Sequence, residues 1–216
     1  MRYRFKRKYE NRSKFFKEKT SNAHLDARYG KTLTHDEVKS ELFRLLNRFT
    51  VLCKKRGIKP VLFHGGLIGY YFNKKLLPWD VDLDLVLVDE SIMNINALHG
   101  YNRNSILIEV NPESVNRAPG ERSNVIDARV ISKKNGVFID ITFLTRSRNG
   151  NLHCKSPHYY RPGDIKPLRK TLFEGCEIFV PNDIKSCLRS EYGVKVFIPK
   201  FYNWVFDGNE WIRKTR

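Results

Sequence analysis

The run LeuProTrpAspValAspLeuAspLeuValLeuVal at residues 77–88 constrains this chain more than any other segment. Asp80, Asp82 and Asp84 alternate with Val81, Leu83 and Leu85. On a strand, alternate side chains share a face. The pattern therefore predicts a strand from about Val81 to Val88, with acids on one face and aliphatic groups on the other. Crowded carboxylates repel, and near a core they are costly unless a cation neutralises them. A divalent metal answers that cost most simply. The competing reading is an exposed strand face with solvated acids, and Asp80 can instead cap the turn after Pro78.

Just upstream lies HisGlyGlyLeuIleGly at 64–69. Gly65 and Gly66 let backbone amides approach a phosphate. The third glycine does not fall where a dinucleotide fingerprint needs it. For His64, a packed and hydrogen-bonded role competes with substrate contact. A further acid, Asp140, stands inside ValPheIleAspIleThrPheLeu, an otherwise apolar strand. One carboxylate in such a run is either a ligand or a salt-bridged structural group. With Asp82 and Asp84 it would complete a three-carboxylate site, and hard oxygen ligands favour Mg²⁺ or Mn²⁺. Asp127 and Arg129 project to one face of their strand, where they pair with each other or join the site. Arg161, with Arg169 and Lys170, lies in a polar stretch suited to clamping a phosphate or acceptor.

The chain has 216 residues, enough for one domain, and 41% of them are hydrophobic. No apolar run approaches the roughly 18–20 residues that span a bilayer. The basic start lacks the apolar middle of a secretory signal. The chain as given is thus expected to be soluble and to carry no membrane span. A formal charge of +17 calls for an anionic partner or a solvated basic surface. Much of the excess precedes residue 20, so residues 1–21 read as a basic extension and 22–216 as one domain. Cys53, Cys154, Cys176 and Cys187 lack zinc spacing. Cys53 reads as a core thiol, and Cys176 and Cys187 can pair only if the fold joins them.

Thr34 to Glu37 reads as a capping box, followed by Val38, Leu42, Leu45, Leu46, Phe49 and Leu52 at helical spacing, with Gly57 as terminator. Short strands are expected at 60–64, 106–110, 125–131, 136–144 and 177–180, and a short helix at 67–72. Asn135-Gly136 is a hairpin signal. Residues 145–170 read as a long loop. Asn182 is expected to cap a helix carrying Ile184, Leu188 and Tyr192 and ending at Gly193. The pattern is α+β: a mixed or antiparallel sheet with packed helices.

The segment HisGlyGlyLeuIleGlyTyrTyrPheAsnLysLysLeuLeuProTrpAspValAspLeuAsp resembles the signature of the LicD/fukutin superfamily of nucleotidyltransferase-fold phosphotransferases, with the fungal mannosylphosphate-transfer branch most similar. AlaHisLeuAspAlaArgTyr at 23–29, IleGluValAsnPro and AsnValIleAspAlaArg within 108–129, PheGluGlyCysGluIlePheValProAsn at 173–182 and GluTyrGly at 191–193 are similar as well. The resemblance spans roughly residues 22–200. It implies a nucleotidyltransferase-like mixed sheet, a metal (Mg²⁺ or Mn²⁺) at Asp82 and Asp84, and Asp140 as third carboxylate. It implies transfer of mannose phosphate, or of ribitol phosphate or phosphocholine, from a nucleotide-diphosphate donor to a glycan hydroxyl. It also implies the Golgi lumen, although no anchor is read here. Many bacterial members carry a further acid where this chain has Val81.

The expectation is an enzyme in which Asp82, Asp84 and Asp140 serve the metal. Asp80 or another site carboxylate takes the acceptor proton, and Gly65 and Gly66 pack against donor phosphates. His64, Asp127, Arg129 and Arg161 join them as candidate substrate contacts. The alternatives are a nucleotidyltransferase acting on nucleic acid and a non-catalytic regulator of mannosylphosphate transfer. No RNA-binding module is visible, so nucleic acid is not the expected partner.

Overall fold

The computed structural model describes residues 15–18, 25–116, 125–154 and 158–214. Most of the basic extension, residues 1–14, lies outside them, as do His24 and Ala23 of the 23–29 segment. The elements are α1 (His35–Arg56), β1 (Val61–Leu62), α2 (His64–Asn73), β2 (Asp84–Val88), α3 (Glu90–Asn96), β3 (Asn102–Arg103) and β4 (Ile106–Val110). They continue with β5 (Ala128–Ser132), β6 (Phe138–Arg146), β7 (Leu152–His153), β8 (Tyr159–Tyr160), α4 (Pro162–Ile165), β9 (Arg169–Phe173), β10 (Cys176–Val180) and α5 (Ile184–Tyr192). Last come β11 (Lys200–Phe201), β12 (Trp204–Phe206) and β13 (Trp211–Arg213).

Among the described residues, the strands form a ten-stranded sheet in the order β3-β4-β5-β6-β2-β1-β10-β9, extended from β6 through β7 and β8. β2 runs parallel to β6 and β1 parallel to β10, and the other pairings are antiparallel. The fold is therefore α+β with a mixed sheet, as the sequence pattern requires.

α1 shows why the local reading works. Thr34 N–H donates to Glu37 Oε2 at 2.7 Å, and Glu37 N–H donates to Thr34 Oγ1 at 3.3 Å. This capping box satisfies two donors that the first turn leaves without partners. Val38, Leu42, Leu45, Leu46, Phe49 and Cys53 form the buried face, and Gly57 closes the helix in the left-handed conformation. Leu52 is only partly buried against the core. Glu41 is buried on the same helix, where Arg44 and the Ser132 hydroxyl hydrogen-bond to it.

Several boundaries differ from the sequence reading. β2 begins at Asp84 and not Val81. β1 ends at Leu62, and the chain then turns into α2, so Val81–Leu83 have no strand to pair with on that side. α2 begins at His64, three residues before the expected start. Asp183, not Asn182, caps α5, through Ser186 N–H at 2.9 Å. The expected long loop at 145–170 contains the end of β6 and the short elements β7, β8 and α4. Their ladders are two residues long, too short for an alternation to show. All four cysteines are buried, and none of them forms a disulfide.

The described part of the extension packs on the domain. Phe16 is buried, Glu18 bridges Asp26, and both reach Arg129. At the other end, β11–β13 form a second sheet whose aromatics surround Trp79, with ring centroids 5.1 Å from Trp211 and 5.6 Å from Trp204. This aromatic cluster holds the Pro78–Asp80 turn from behind. Among the described residues no helix is long and apolar enough to cross a membrane.

Candidate active site

The site forms where the sheet loses a strand. Phe63 N–H still reaches the Asp84 carbonyl, at 3.3 Å. His64 then takes φ 51° and starts α2. The first turn of that helix comes against the acids: a Cβ on Gly65 would lie 2.6 Å from Asp80 Oδ2. Gly65 is thus the residue that lets the Asp80 carboxylate approach the helix. Gly66 has a different constraint, because its Cβ would meet Leu62 at 2.8 Å and Leu83 at 3.1 Å. It is small for the sake of helix-on-strand packing. Like any helix start, α2 leaves its first N–H groups without intrahelical acceptors and carries a positive partial charge.

Across the sheet the charges form a row. Asp84 on β2 is level with Asp140 on β6, Asp140 faces Arg129 on β5, and Arg129 faces Glu109 on β4. Asp140 accepts from Arg129 Nε at 2.6 Å and Nη2 at 3.0 Å. Arg129 Nη2 also donates to Glu18 at 3.1 Å, and the guanidinium lies 3.5 Å from the Phe138 ring centroid and 4.8 Å from that of Phe16. Arg129 is almost fully buried, at 1% exposure. Glu109 is taken by Arg28.

Arg129 therefore pairs with Asp140, not with Asp127. The Asp127 carboxylate accepts the backbone N–H of Phe143 at 2.7 Å, a buried structural bond. Arg161 stands apart from the acids, three-quarters exposed, with its guanidinium on Asp164 at 3.0 Å.

His64 has a partner that the sequence reading missed. Its Nδ1 lies 2.9 Å from Glu191 Oε2, and the Tyr160 hydroxyl donates to Glu191 Oε1 at 2.7 Å. Glu191 is 1% exposed. A signal existed: Ile184, Leu188 and Glu191 fall at i, i+4 and i+7, so Glu191 continues the apolar stripe of α5 and must be buried. A buried carboxylate without a partner is too costly to persist.

The electrostatics are those of crowded acids. Burial pushes the Asp80 carboxyl up, reinforced by its hydrogen bond with Asp82 and by the charges of Asp82 and Asp84. Burial also raises Asp84, to about 7; His64 opposes the shift, while Asp140, Asp82 and Glu191 add to it. Asp140 is raised by burial against the pull of Arg129. Burial disfavours the His64 imidazolium, but Glu191 and then Asp84 and Asp82 outweigh it, and its pKa stands at about 9. Burial raises Asp80, Asp84 and Asp140 alike, and the opposing charges of His64 and Arg129 do not cancel it.

An all-oxygen, under-neutralised donor set of this kind fits a hard divalent ion. Among the described residues no three His, Cys, Asp or Glu side chains stand in a ready metal-holding arrangement. Both Asp140 oxygens are engaged by Arg129, which leaves Asp80, Asp82 and Asp84 as the acids grouped beside α2.

The model of the LicD/FKTN/FKRP nucleotidyltransferase domain matches residues 57–183, which hold β1, α2 and the acid row. The chain belongs to the LicD family. Two curated relatives from Saccharomyces cerevisiae are similar to it. Mannosyltransferase regulator 14 is 33% identical over 141 residues, 57% of this chain and 15% of the relative. Mannosyltransferase regulator 4 is 33% identical over 127 residues, 52% of this chain and 10% of the relative. This LicD chain thus spans a small part of the length of these relatives. Both likenesses are in line with the fungal branch that the sequence resembles.

Proposed function

We propose that this LicD domain is a phosphotransferase that moves a phosphorylated sugar or alcohol, mannose phosphate first among them, from a nucleotide-diphosphate donor to a glycan hydroxyl. The observation that carries the reading is the packing of Asp80, itself hydrogen-bonded to Asp82, against the first turn of α2, with Asp84 close enough to act on the charge of His64, which is paired with Glu191.

Magnesium is typically held by one or two carboxylates plus substrate phosphates. Asp82 and Asp84 are the pair suited to Mg²⁺ or Mn²⁺, and Asp140 is kept in place beside Asp84 by Arg129. A bound ion would neutralise the donor phosphates. The rest falls to the chain. His64, kept cationic by Glu191, and the first N–H groups of α2 bind phosphate oxygens. The acceptor oxygen attacks the phosphorus that bears the sugar, the P–O–P bridge breaks, and a nucleoside monophosphate leaves. With a cation held at Asp82 and Asp84, the neighbouring Asp80 would be ionised and placed to take the acceptor's proton as general base.

The test incubates the chain with Mn²⁺, nucleotide-diphosphate sugars and a mannan-type oligosaccharide. Release of nucleoside monophosphate with matching mass gain on the glycan supports the reading. Nucleotides added to an RNA oligomer, with pyrophosphate released, would replace it with the nucleic-acid alternative. A second reading rests on the names of the yeast relatives: a non-catalytic regulator of mannosyl transfer. It predicts no transfer by this chain alone, and unchanged glycan phosphorylation in cells when Asp82 and Asp84 become Asn.

A further inference from the structure

Away from the acids, a groove of about 1050 Å³ runs between the outer face of α1 and the β3–β4 hairpin. Five cationic side chains line it: Arg44, Arg48, Lys55, Arg56 and Arg103. No acid is among the described lining residues. Arg44 is offset by Glu41. Arg48 donates to the Asn104 carbonyl at 2.7 Å and keeps its charge. Lys55, Arg56 and Arg103 face solvent with no carboxylate partner among the described residues. Four like charges gathered without counter-charge repel one another, and an anion relieves that repulsion.

The groove is built with some rigidity. Asn104 and Ser105 both adopt positive φ, 52° and 62°, at the tip of the hairpin. For a serine this conformation is costly. The tip is tied to α1 through Arg48 and to the next hairpin through Lys133 N–H, which donates to the Ser105 carbonyl at 2.9 Å. The remaining lining is mixed. Asn47 and Asn104 offer amides and Ser105 a hydroxyl, while Tyr101 and the half-exposed Val51 offer apolar surface.

We propose that this groove is a second binding site, for an oligosaccharide that carries a phosphodiester. The proposal rests on the transfer reading above, because such a glycan is the product of that reaction. The cations meet the phosphodiester, the amides and hydroxyl meet sugar hydroxyls, and Tyr101 and Val51 meet the apolar face of a sugar ring. RNA is the weaker fit, since single strands are gripped by successive aromatic platforms and the groove offers one ring. A bilayer surface is flat and does not enter a groove between a helix and a hairpin.

The test measures calorimetric binding of a mannan-type oligosaccharide bearing one phosphodiester-linked mannose, with the same oligosaccharide lacking it as control. The phosphorylated form should bind at least about tenfold more tightly, the worth of one charge-assisted hydrogen bond. Lys55→Gln/Arg103→Gln should abolish the preference, and Asp82→Asn should keep it. Both groove positions are exposed, so the fold should survive, and unchanged circular dichroism and melting confirm it; Arg103→Gln alone gives a second, milder variant. Equal binding of the two glycans, no binding, or a preference that survives in the groove variants overturns the proposal. So does a preference lost in Asp82→Asn alone, which would place the ligand at the acids. Tighter binding by an RNA oligomer or by anionic phospholipid vesicles, lost in the same groove variants, assigns the groove to that partner instead. A chain that shows the groove preference but transfers nothing keeps this inference and loses the earlier one.

Discussion

Replacing Arg129 by Met tests how the acid row is held together. Arg129 has 1% exposure, gives Asp140 two hydrogen bonds and stacks against Phe138 and Phe16. Methionine keeps much of the apolar contact but leaves Asp140, itself only 15% exposed, without its cation. Breaking a buried pair from one side costs about 3–5 kcal/mol. For a domain of this size that lowers the melting temperature by roughly 6–20 °C, at about 2–4 °C per kcal/mol. The loss should depend on pH in a defined sense. Without Arg129, Asp140 has a folded-state pKa still further above its unfolded value, so the folded state binds more protons. Stability of the variant therefore falls as pH rises above about 4, the unfolded carboxylate value. The double variant Arg129→Met/Asp140→Leu removes both charges and should recover most of the loss, since an apolar pair of similar volume is often neutral or better. Urea unfolding of the native chain and both variants at pH 5 and pH 8 reads all three effects. A single variant that loses under about 1 kcal/mol, or a double variant no more stable than the single, would refute the assignment of Arg129 as the counter-charge of Asp140.

Asp82→Asn and Asp84→Asn should each lower transfer by orders of magnitude while apo stability holds or rises, because one of several crowded acids is gone; full activity with added Mn²⁺ removes them from the site. The His64–Glu191 pair should stabilise the fold fully below about pH 6.5 and lose that contribution as pH climbs through about 9, the folded-state value. Glu191→Gln should flatten this part of the pH–stability curve, and a curve unchanged between pH 6 and 10 would separate His64 from Glu191. Gly65→Ala should displace the Asp80 carboxylate, whose oxygen lies 2.6 Å from the new Cβ, costing about 1–3 kcal/mol and depressing transfer further than stability explains; thermal melts beside a transfer assay decide it.

Some of this was written locally. The capping box at Thr34–Glu37 and the stripe from Val38 to Phe49 act within a few residues, and α1 follows them closely. Asn135-Gly136 joins β5 to β6 as a hairpin signal should, because turn chemistry needs no distant partner. The β2 boundary escaped the same reasoning. Alternation runs from Val81, but a strand needs a neighbour, and α2 takes that neighbour away at His64. The short ladders of β7 and β8 escaped because two residues carry no period.

By itself the sequence determined that three acids would be forced together upstream of an apolar strand, that a glycine pair would precede them, and that a fourth acid would stand in a buried strand. Those are properties of composition at fixed spacing, and no fold could separate Asp80, Asp82 and Asp84 by much. Which charges answer them was decided only in three dimensions. Arg129 meets Asp140 because β5 and β6 set them opposite each other, although Asp127 is closer in sequence. Glu191 meets His64 across 127 positions because α5 buries its stripe beside α2. Pairing between distant segments depends on strand register and helix packing, and these follow from burial summed over the whole chain, which no local pattern records.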